Sequence, residues 1–254
     1  MSSAIITGAS AGIGEALALE LAQRGWDLGL TARRVPLLEA LRQRILASNP
    51  KRRVEIRALD VADTAAVQHV IPELAKVLGG LDMIVANAGI GNAKRVGTGN
   101  LATDIAIIQV NLIGAMATID TAIPIMLAQG HGHIVGISST ASARGLPTSA
   151  SYSASKAGFH TYLEAARTEL AAKGIKVTTI SPGYIDTAIN QHQSWRPFLI
   201  TPEVGARKLA NLIERGVRHA TLPFFPWAAI TLVFRTAPNI VWDRIAAQLQ
   251  KQRD

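Results

Sequence analysis

Residues 4–14 read Ala4-Ile5-Ile6-Thr7-Gly8-Ala9-Ser10-Ala11-Gly12-Ile13-Gly14, and a helix-forming run, Glu15-Ala16-Leu17-Ala18-Leu19-Glu20-Leu21, follows at once. A short apolar strand, a glycine-rich turn and a helix start make one β–turn–α unit. Free backbone N–H groups and the positive end of the helix dipole turn such a junction into an anion cradle. Gly8 suits the tight turn, Gly12 close approach of a pyrophosphate, and Gly14 close packing of the helix. Ser10 and Ile13 fill the cradle between them. The spacing is G-x-x-x-G-x-G rather than the commoner G-x-G-x-x-G. Alone it fits a plain tight turn equally well, so the rest of the chain decides its meaning.

Outward from that unit, short apolar runs at 27–32, 54–59, 82–86, 133–137, 176–180 and 219–222 join the strand at 4–7. They are continuously apolar rather than alternating, as strands buried on both faces of a parallel sheet are. Helix-length patterns lie between them at 13–24, 37–47, 65–77, 103–128, 151–172 and 202–215. Asp63 reads as an N-cap, and Gly25, Gly79-Gly80 and Gly174 as helix stops. Alternation of β and α with right-handed crossovers predicts a doubly wound, parallel seven-stranded α/β sheet, Rossmann-like. One domain spans 1–254, with an irregular apolar extension over 223–254.

Composition bounds the function. Apolar residues make up 48% of the 254 and charged ones 17%, which excludes a disordered chain. No cysteine is present, so disulfides, thiolate nucleophiles and Cys-bound zinc are excluded. The net charge is +8, and residues 24–57 hold +6 of it through nine basic and three acidic side chains. A solvated helix face explains that stretch better than a nucleic-acid surface, because residues 27–151 contain no aromatic to interleave with the charge. The run at 222–234 is too short and too broken by Pro223 and Pro226 to cross a membrane. The N-terminus carries no targeting pattern, so a cytoplasmic location is expected.

Tyr152 and Lys156 stand four apart near the start of a predicted helix, hence on one face. A phenol is a poor acid or base near neutrality, and a neighbouring ammonium is expected to lower its pKa. Many helices carry Tyr-x-x-x-Lys by chance. Here it follows, in order, Thr7–Gly14, Asn87-Ala88-Gly89, Asn111 and Ser139. In these elements and their spacing the chain resembles the short-chain dehydrogenase/reductase family over residues 3–187, and more loosely to 222. The resemblance implies an oxidoreductase using a nicotinamide dinucleotide. It implies Tyr152 as general acid/base, Lys156 as the lysine on the nicotinamide ribose, Ser139 as the holder of the substrate oxygen, and Asn111 as a support of a proton-relay water. Asn87, with Ala88 and Gly89, corresponds to the sheet-stabilising motif beside the cofactor, although Ala86 stands where the family has a first asparagine. Asp60, followed by Val61, matches the acid at the adenine; an Asx turn is its plain alternative. Pro182, Gly183, Ile185 and Thr187 match the segment along the nicotinamide carboxamide.

Cofactor choice is read from the end of the second strand. NAD sites hold an acid there for the ribose 2′-hydroxyl, but this chain has Ala32-Arg33-Arg34. Guanidinium groups pair with a 2′-phosphate, so NADP(H) is expected. Eight of the twelve aromatics follow residue 183. Residues 184–200 are the expected substrate cover, and the substrate an apolar or amphipathic small molecule with a carbonyl or secondary alcohol. The apolar extension suggests a pocket cover, a homo-oligomer contact (dimer or tetramer) or a membrane surface, the oligomer contact first. It breaks at Pro223, Pro226 and Pro238 into short pieces. Neither His131-x-His133 nor any other group supports a metal site. His160 reads as an ordinary helix-face residue, and His192 could touch substrate. Two other readings stay open: a non-catalytic NADP(H)-binding regulator and a membrane-peripheral protein.

Overall fold

The computed structural model describes residues 2–251 apart from Asn92, His192 and Ser194, so the His192 expectation lies outside the described residues. Seven strands form one parallel sheet: β1 Ser3–Thr7, β2 Asp27–Ala32, β3 Val54–Ala58, β4 Met83–Ala86, β5 Gly132–Ile137, β6 Ile175–Pro182 and β7 His219–Leu222. Their spatial order is β3-β2-β1-β4-β5-β6-β7. The doubly wound Rossmann-like sheet expected from the alternation is what the chain forms. Every residue of β1, β2 and β4 is buried, which is why these strands read as unbroken apolar runs.

Helices α1 (Gly12–Gln23), α2 (Val35–Ser48) and α7 (Pro202–Glu214) cover one face; α3 (Thr64–Leu78), α5 (Ala115–Gln129) and α6 (Ala150–Leu170) cover the other. Asp63 caps α3 by accepting from the Ala66 N–H at 2.9 Å, as its position predicts. Direction of the winding reverses between β1 and β4. The crevice beyond the carboxyl ends of those strands is where such sheets place their ligands.

The helix expected at 103–128 is longer and interrupted. It runs from α4 (Leu101–Ile108) through a π-helical turn, Gln109–Gly114, into α5. By length and composition this stretch could cross a membrane. Its inner face, with Ile107, Ile119, Ala122 and Met126 at 1% exposure or less, instead builds the core on that side of the sheet.

The basic stretch is largely paired. Arg24 bonds Glu20 and Glu214, Arg44 bonds Glu15, and Arg57 bonds Glu73. Past β7 the chain is more regular than expected. It forms α8 (Phe224–Thr236), broken by extended backbone at Phe225 before Pro226, and α9 (Asn239–Lys251). Pro238 separates the two, so the prolines do break the segment, but into helices rather than irregular chain. His160 is not an ordinary helix-face residue: it turns inward from α6, 7% exposed, edge-on to the His219 ring at 5.0 Å. His131 and His133 go to separate partners, Asp82 at 2.9 Å and Thr178 at 2.8 Å.

Burial pushes the His133 imidazole down to about 4, and the nearby Lys176 charge adds to the shift. His160 and His219 shift in the same direction. A histidine whose folded pKa lies below its unfolded value stabilises the fold fully above the unfolded pKa of about 6.5. That stability is lost as pH falls toward 4. Wild type should therefore lose on the order of 3 kcal/mol relative to His133→Gln between pH 7 and pH 4. Urea unfolding of both proteins across that range checks it; a constant difference would refute it.

Candidate functional site

At the β1–α1 junction the chain turns through Gly8 (φ +69) and Gly12 (φ +61). No side chain caps the start of α1, where Ala11 stands at the N-cap. The first amides of α1 thus remain available to an anion. A Cβ on Gly8 would lie 2.7 Å from the Ala88 Cα. One on Gly14 would lie 2.5 Å from both the Gly8 carbonyl oxygen and the Asn87 Nδ2. Gly14 is therefore needed for contact with the turn and Asn87. The Asn87 amide donates to the Thr7 and Gly8 carbonyls at 2.9 and 3.2 Å, while the Thr7 hydroxyl accepts from the Asn87 and Ala88 N–H groups. The glycine turn is in this way clamped to the end of β4.

A cleft of about 430 Å³ opens over this turn. Gly8, Ser10, Gly12, Ile13, Arg33, Arg34, Asp60, Val61, Asn87, Ala88 and Gly89 line one part; Ser139, Tyr152, Lys156, Pro182, Gly183, Ile185 and Thr187 line the other. Of the residues singled out from sequence, Gly14 and Asn111 lie behind the wall. Arg34 donates to the Ser10 hydroxyl at 3.2 Å, and Arg33 stands 3.6 Å from the Asp60 carboxylate, both exposed. Asp60 also closes an Asx turn by accepting from the Ala62 N–H at 3.0 Å, so its plain reading and its place in the cleft hold together. Ile90, Val110, Ile137, Ala188 and Asn190 also line the cleft and were missed, being apolar or loop residues without a motif of their own.

Lys156 is 4% exposed, and its ammonium donates to the Ile137 carbonyl at 2.8 Å. Burial pulls its pKa down to about 8. The expected lowering of the Tyr152 pKa by this lysine does not occur. Burial raises it, the hydrogen bond with Ser139 lowers it in part, and the net direction is upward. The Lys156 Nζ stands 6.0 Å from the centre of the phenol ring, turned toward Ile137. Ser138 differs from Ser139 as expected: its hydroxyl is buried on the Lys156 carbonyl at 3.2 Å. Asn111 is fully buried in the π turn. Its amide accepts from the Ile90 N–H at 2.8 Å and donates to the Ile90 carbonyl at 2.9 Å and the Ser155 hydroxyl at 3.2 Å. It acts on the site by fixing the loop after β4.

A second cavity, about 380 Å³, meets the first at Ser139, Tyr152, Gly183, Ile189 and Asn190. Its outer wall is Leu146, Trp195, Phe198, Trp227, Ile230, Phe234 and Ile245. No charged side chain lines it among the described residues. The segment expected to cover substrate supplies part of this wall; α8, Ile245 of α9 and Leu146 supply the rest. Trp227, with its ring edge-on to Tyr184 and Phe198, is 5% exposed. Part of the apolar extension is thus a pocket cover. The Tyr152–Ser139 pair stands where a cleft with an anion cradle meets a chamber without charged side chains among the described residues.

The family description "short chain dehydrogenase" matches residues 2–196. An uncharacterised oxidoreductase of Myxococcus xanthus is 38% identical over 253 residues, 97% of each chain. One from Mycobacterium tuberculosis is 36% identical over 243 residues, 95% of this chain and 96% of that one. Among solved structures, levodione reductase superposes with a TM-score of 0.80 at 26% identity, over 87% of this chain and 94% of that one. An alcohol dehydrogenase from the archaeon Thermococcus sibiricus, complexed with 5-hydroxy-NADP, has the same TM-score at 28% identity, over 87% and 95%.

The contact at Gly14 gives a direct test of the cradle. Gly14→Ala should destabilise the fold by about 1–3 kcal/mol through overpacking. It should also weaken dinucleotide binding, because the turn must move away from Asn87. Urea unfolding together with a fluorescence titration of NADPH measures both; unchanged affinity would separate the turn from binding.

Proposed function

The chain belongs to the short-chain dehydrogenase family, and on that footing we propose that it is an NADP(H)-dependent oxidoreductase acting on a carbonyl or secondary alcohol of an apolar small molecule. The observation that carries the reading is the position of Tyr152 and Ser139 where the two cavities join. The glycine cradle and the uncapped start of α1 fit the pyrophosphate of a dinucleotide. Lys156 has three N–H donors and one protein acceptor among the described residues, which suits ribose hydroxyls. Arg33, Arg34 and Ser10 suit a 2′-phosphate, and no carboxylate stands at Ala32 to repel it.

When bound, the nicotinamide supplies a hydride to the carbonyl carbon or accepts one from the alcohol. The chain's own part is the proton. A phenol whose pKa is raised stays protonated near neutrality and is a donor to the substrate oxygen. Ser139 holds that oxygen beside it. Lys156, cationic below its pKa of about 8, favours the phenolate left behind. The apolar chamber favours substrates without charge near the carbonyl.

Homo-oligomer formation, as dimer or tetramer, belongs to the same proposal. Leu101 and Ile105 on α4 and Phe224, Phe225 and Ile240 on the C-terminal helices are each more than half exposed, and large apolar patches mark contact surfaces. A cytoplasmic location is proposed with it.

Two measurements test the reading. Tyr152→Phe should lower kcat for ketone reduction about 10²–10⁴-fold while NADPH still binds. Retained turnover would overturn the assignment. An inert wild type that binds NADPH across a ketone panel would favour a non-catalytic regulator. Arg33→Ala and Arg34→Ala, alone and together, should weaken NADPH and leave NADH nearly unchanged; equal losses would make these arginines structural.

A further inference from the structure

The family match ends at residue 196, yet α8 and α9 close the apolar chamber from beyond it. Trp227 packs α8 against Tyr184 and Phe198, and Arg235 near its end donates to the His160 Nε2 of α6 at 3.4 Å. The outer face of α8 leaves Leu232 and Val233 in solvent at 61% and 48% exposure. On its inner face the Trp227 Nε1 and the Thr231 Oγ1 are buried without a hydrogen-bond partner among the described residues. Burying such groups unpaired costs free energy. Prolines stand before α8 (Pro223), in its first turn (Pro226) and between the two helices (Pro238), where each removes a backbone N–H donor.

At the corner between α8 and α9 the link is made by Arg144. Arg144 lies five residues after Ser139, in the loop that follows the short 3₁₀ turn Thr140–Ser142. Its guanidinium donates to the Phe234 carbonyl at 3.2 Å and the Ala237 carbonyl at 2.6 Å. It donates as well to the Asn239 Oδ1 at 2.7 Å and lies over the Trp242 ring at 5.1 Å. The last carbonyls of a helix lack partners within it; here an arginine from a remote loop supplies them at the end of α8. It also fixes the first turn of α9. Trp242 in turn packs edge-on against Phe234, a residue of the chamber wall, at 5.1 Å. Two positions after Arg144, Leu146 lines the same chamber.

Resting on the function proposed above, we propose that Arg144 is a positioning residue that sets substrate specificity: it locks α8–α9 over the chamber and so fixes the size of apolar group accepted beside Tyr152. It touches neither the cofactor cleft nor the reacting atoms. The fork geometry matters, because two carbonyls, an amide oxygen and an aromatic face are engaged together.

The test compares wild type, Arg144→Ala and Arg144→Lys. Hydrogen exchange reads the cover without any turnover: residues 224–248 should lose protection in Arg144→Ala, while β1, β4 and α1 keep theirs. Kinetics read specificity with a small ketone (cyclohexanone) and a bulky apolar one (1-decalone). KM for the bulky ketone should rise about tenfold or more, the scale of losing charge-assisted hydrogen bonds. Values of kcat, and KM for the small ketone, should change little, and NADPH affinity not at all. Arg144→Lys should recover part of the protection and part of the KM. Unchanged exchange over 224–248, or equal losses on both ketones, would overturn the proposal. Should the wild type reduce neither ketone, the catalytic reading fails by itself, and the exchange experiment still decides whether Arg144 holds the cover.

Discussion

Everything at this site hangs on a clamp between two strand ends that are about eighty residues apart in sequence. The Asn87 amide holds the Thr7 and Gly8 carbonyls, and the Thr7 hydroxyl holds the Asn87 and Ala88 amides. A backbone that turns through positive φ at Gly8 leaves carbonyls and amides that no helix or strand would satisfy. The clamp satisfies them and fixes the turn at the point where the sheet reverses its winding. It also explains why glycine is needed at residues 8 and 14, since Ala88, Asn87 and the Gly8 carbonyl occupy the space of a Cβ. The clamp fixes the cradle; the uncapped start of α1 and the crevice at the winding reversal lie beside it.

The second constraint is a buried charge. An ammonium at 4% exposure with one carbonyl partner is costly, and its pKa falls to about 8 for that reason. Next to it, burial holds Tyr152 on the protonated side. The two shifts are opposite and have the same cause: burial disfavours the charged form of each group. On the proposed function, a neutral phenol and a strained ammonium make a pair prepared for proton donation, because the charge that would appear on the phenol oxygen improves the position of the lysine. Asn111 contributes from behind by tying Ile90 into place through the π turn, a local irregularity that helices keep at functional positions.

How far this was readable from residues alone follows from where each signal resides. Buried parallel strands must be apolar, so 4–7, 27–32 and 82–86 declared themselves, and strand–turn–helix order gave the sheet. The polar site was legible because its residue types are unusual for their places: glycines at a helix start, Arg33-Arg34 after a strand, an asparagine within an apolar helix. The π turn was not legible, since its backbone shift leaves no mark in the apolar pattern around Asn111. The direction of the Tyr152 shift was not legible either; four-residue spacing places a lysine nearby but cannot tell that it turns to Ile137. His160 looked ordinary because its partner His219 lies on a different element. The tail misled through its prolines, which end helices but do not forbid short ones.

What links the two halves of the site is a residue too small to attract notice. Gly183 directly follows β6 and lines both cavities. A Cβ there would lie 2.2 Å from the Trp227 ring, so the indole rests directly on its backbone. Trp227 in turn supports Tyr184 and Phe198 on one side and belongs to α8 on the other. The floor of the apolar chamber is therefore also the wall of the cofactor cleft, with no layer of side chains between. A shift of α8 is felt at the edge of the cleft through one contact rather than through the core, because the sheet beneath is close-packed and yields little. The family match covers Ser139, Tyr152, Lys156 and the clamp at Asn87, whereas the apolar chamber is completed by helices beyond it. On the proposed function, selectivity would change through α8, α9 and the loop that carries Arg144 while the clamp at Asn87 and the Tyr152–Lys156 pair stay as they are.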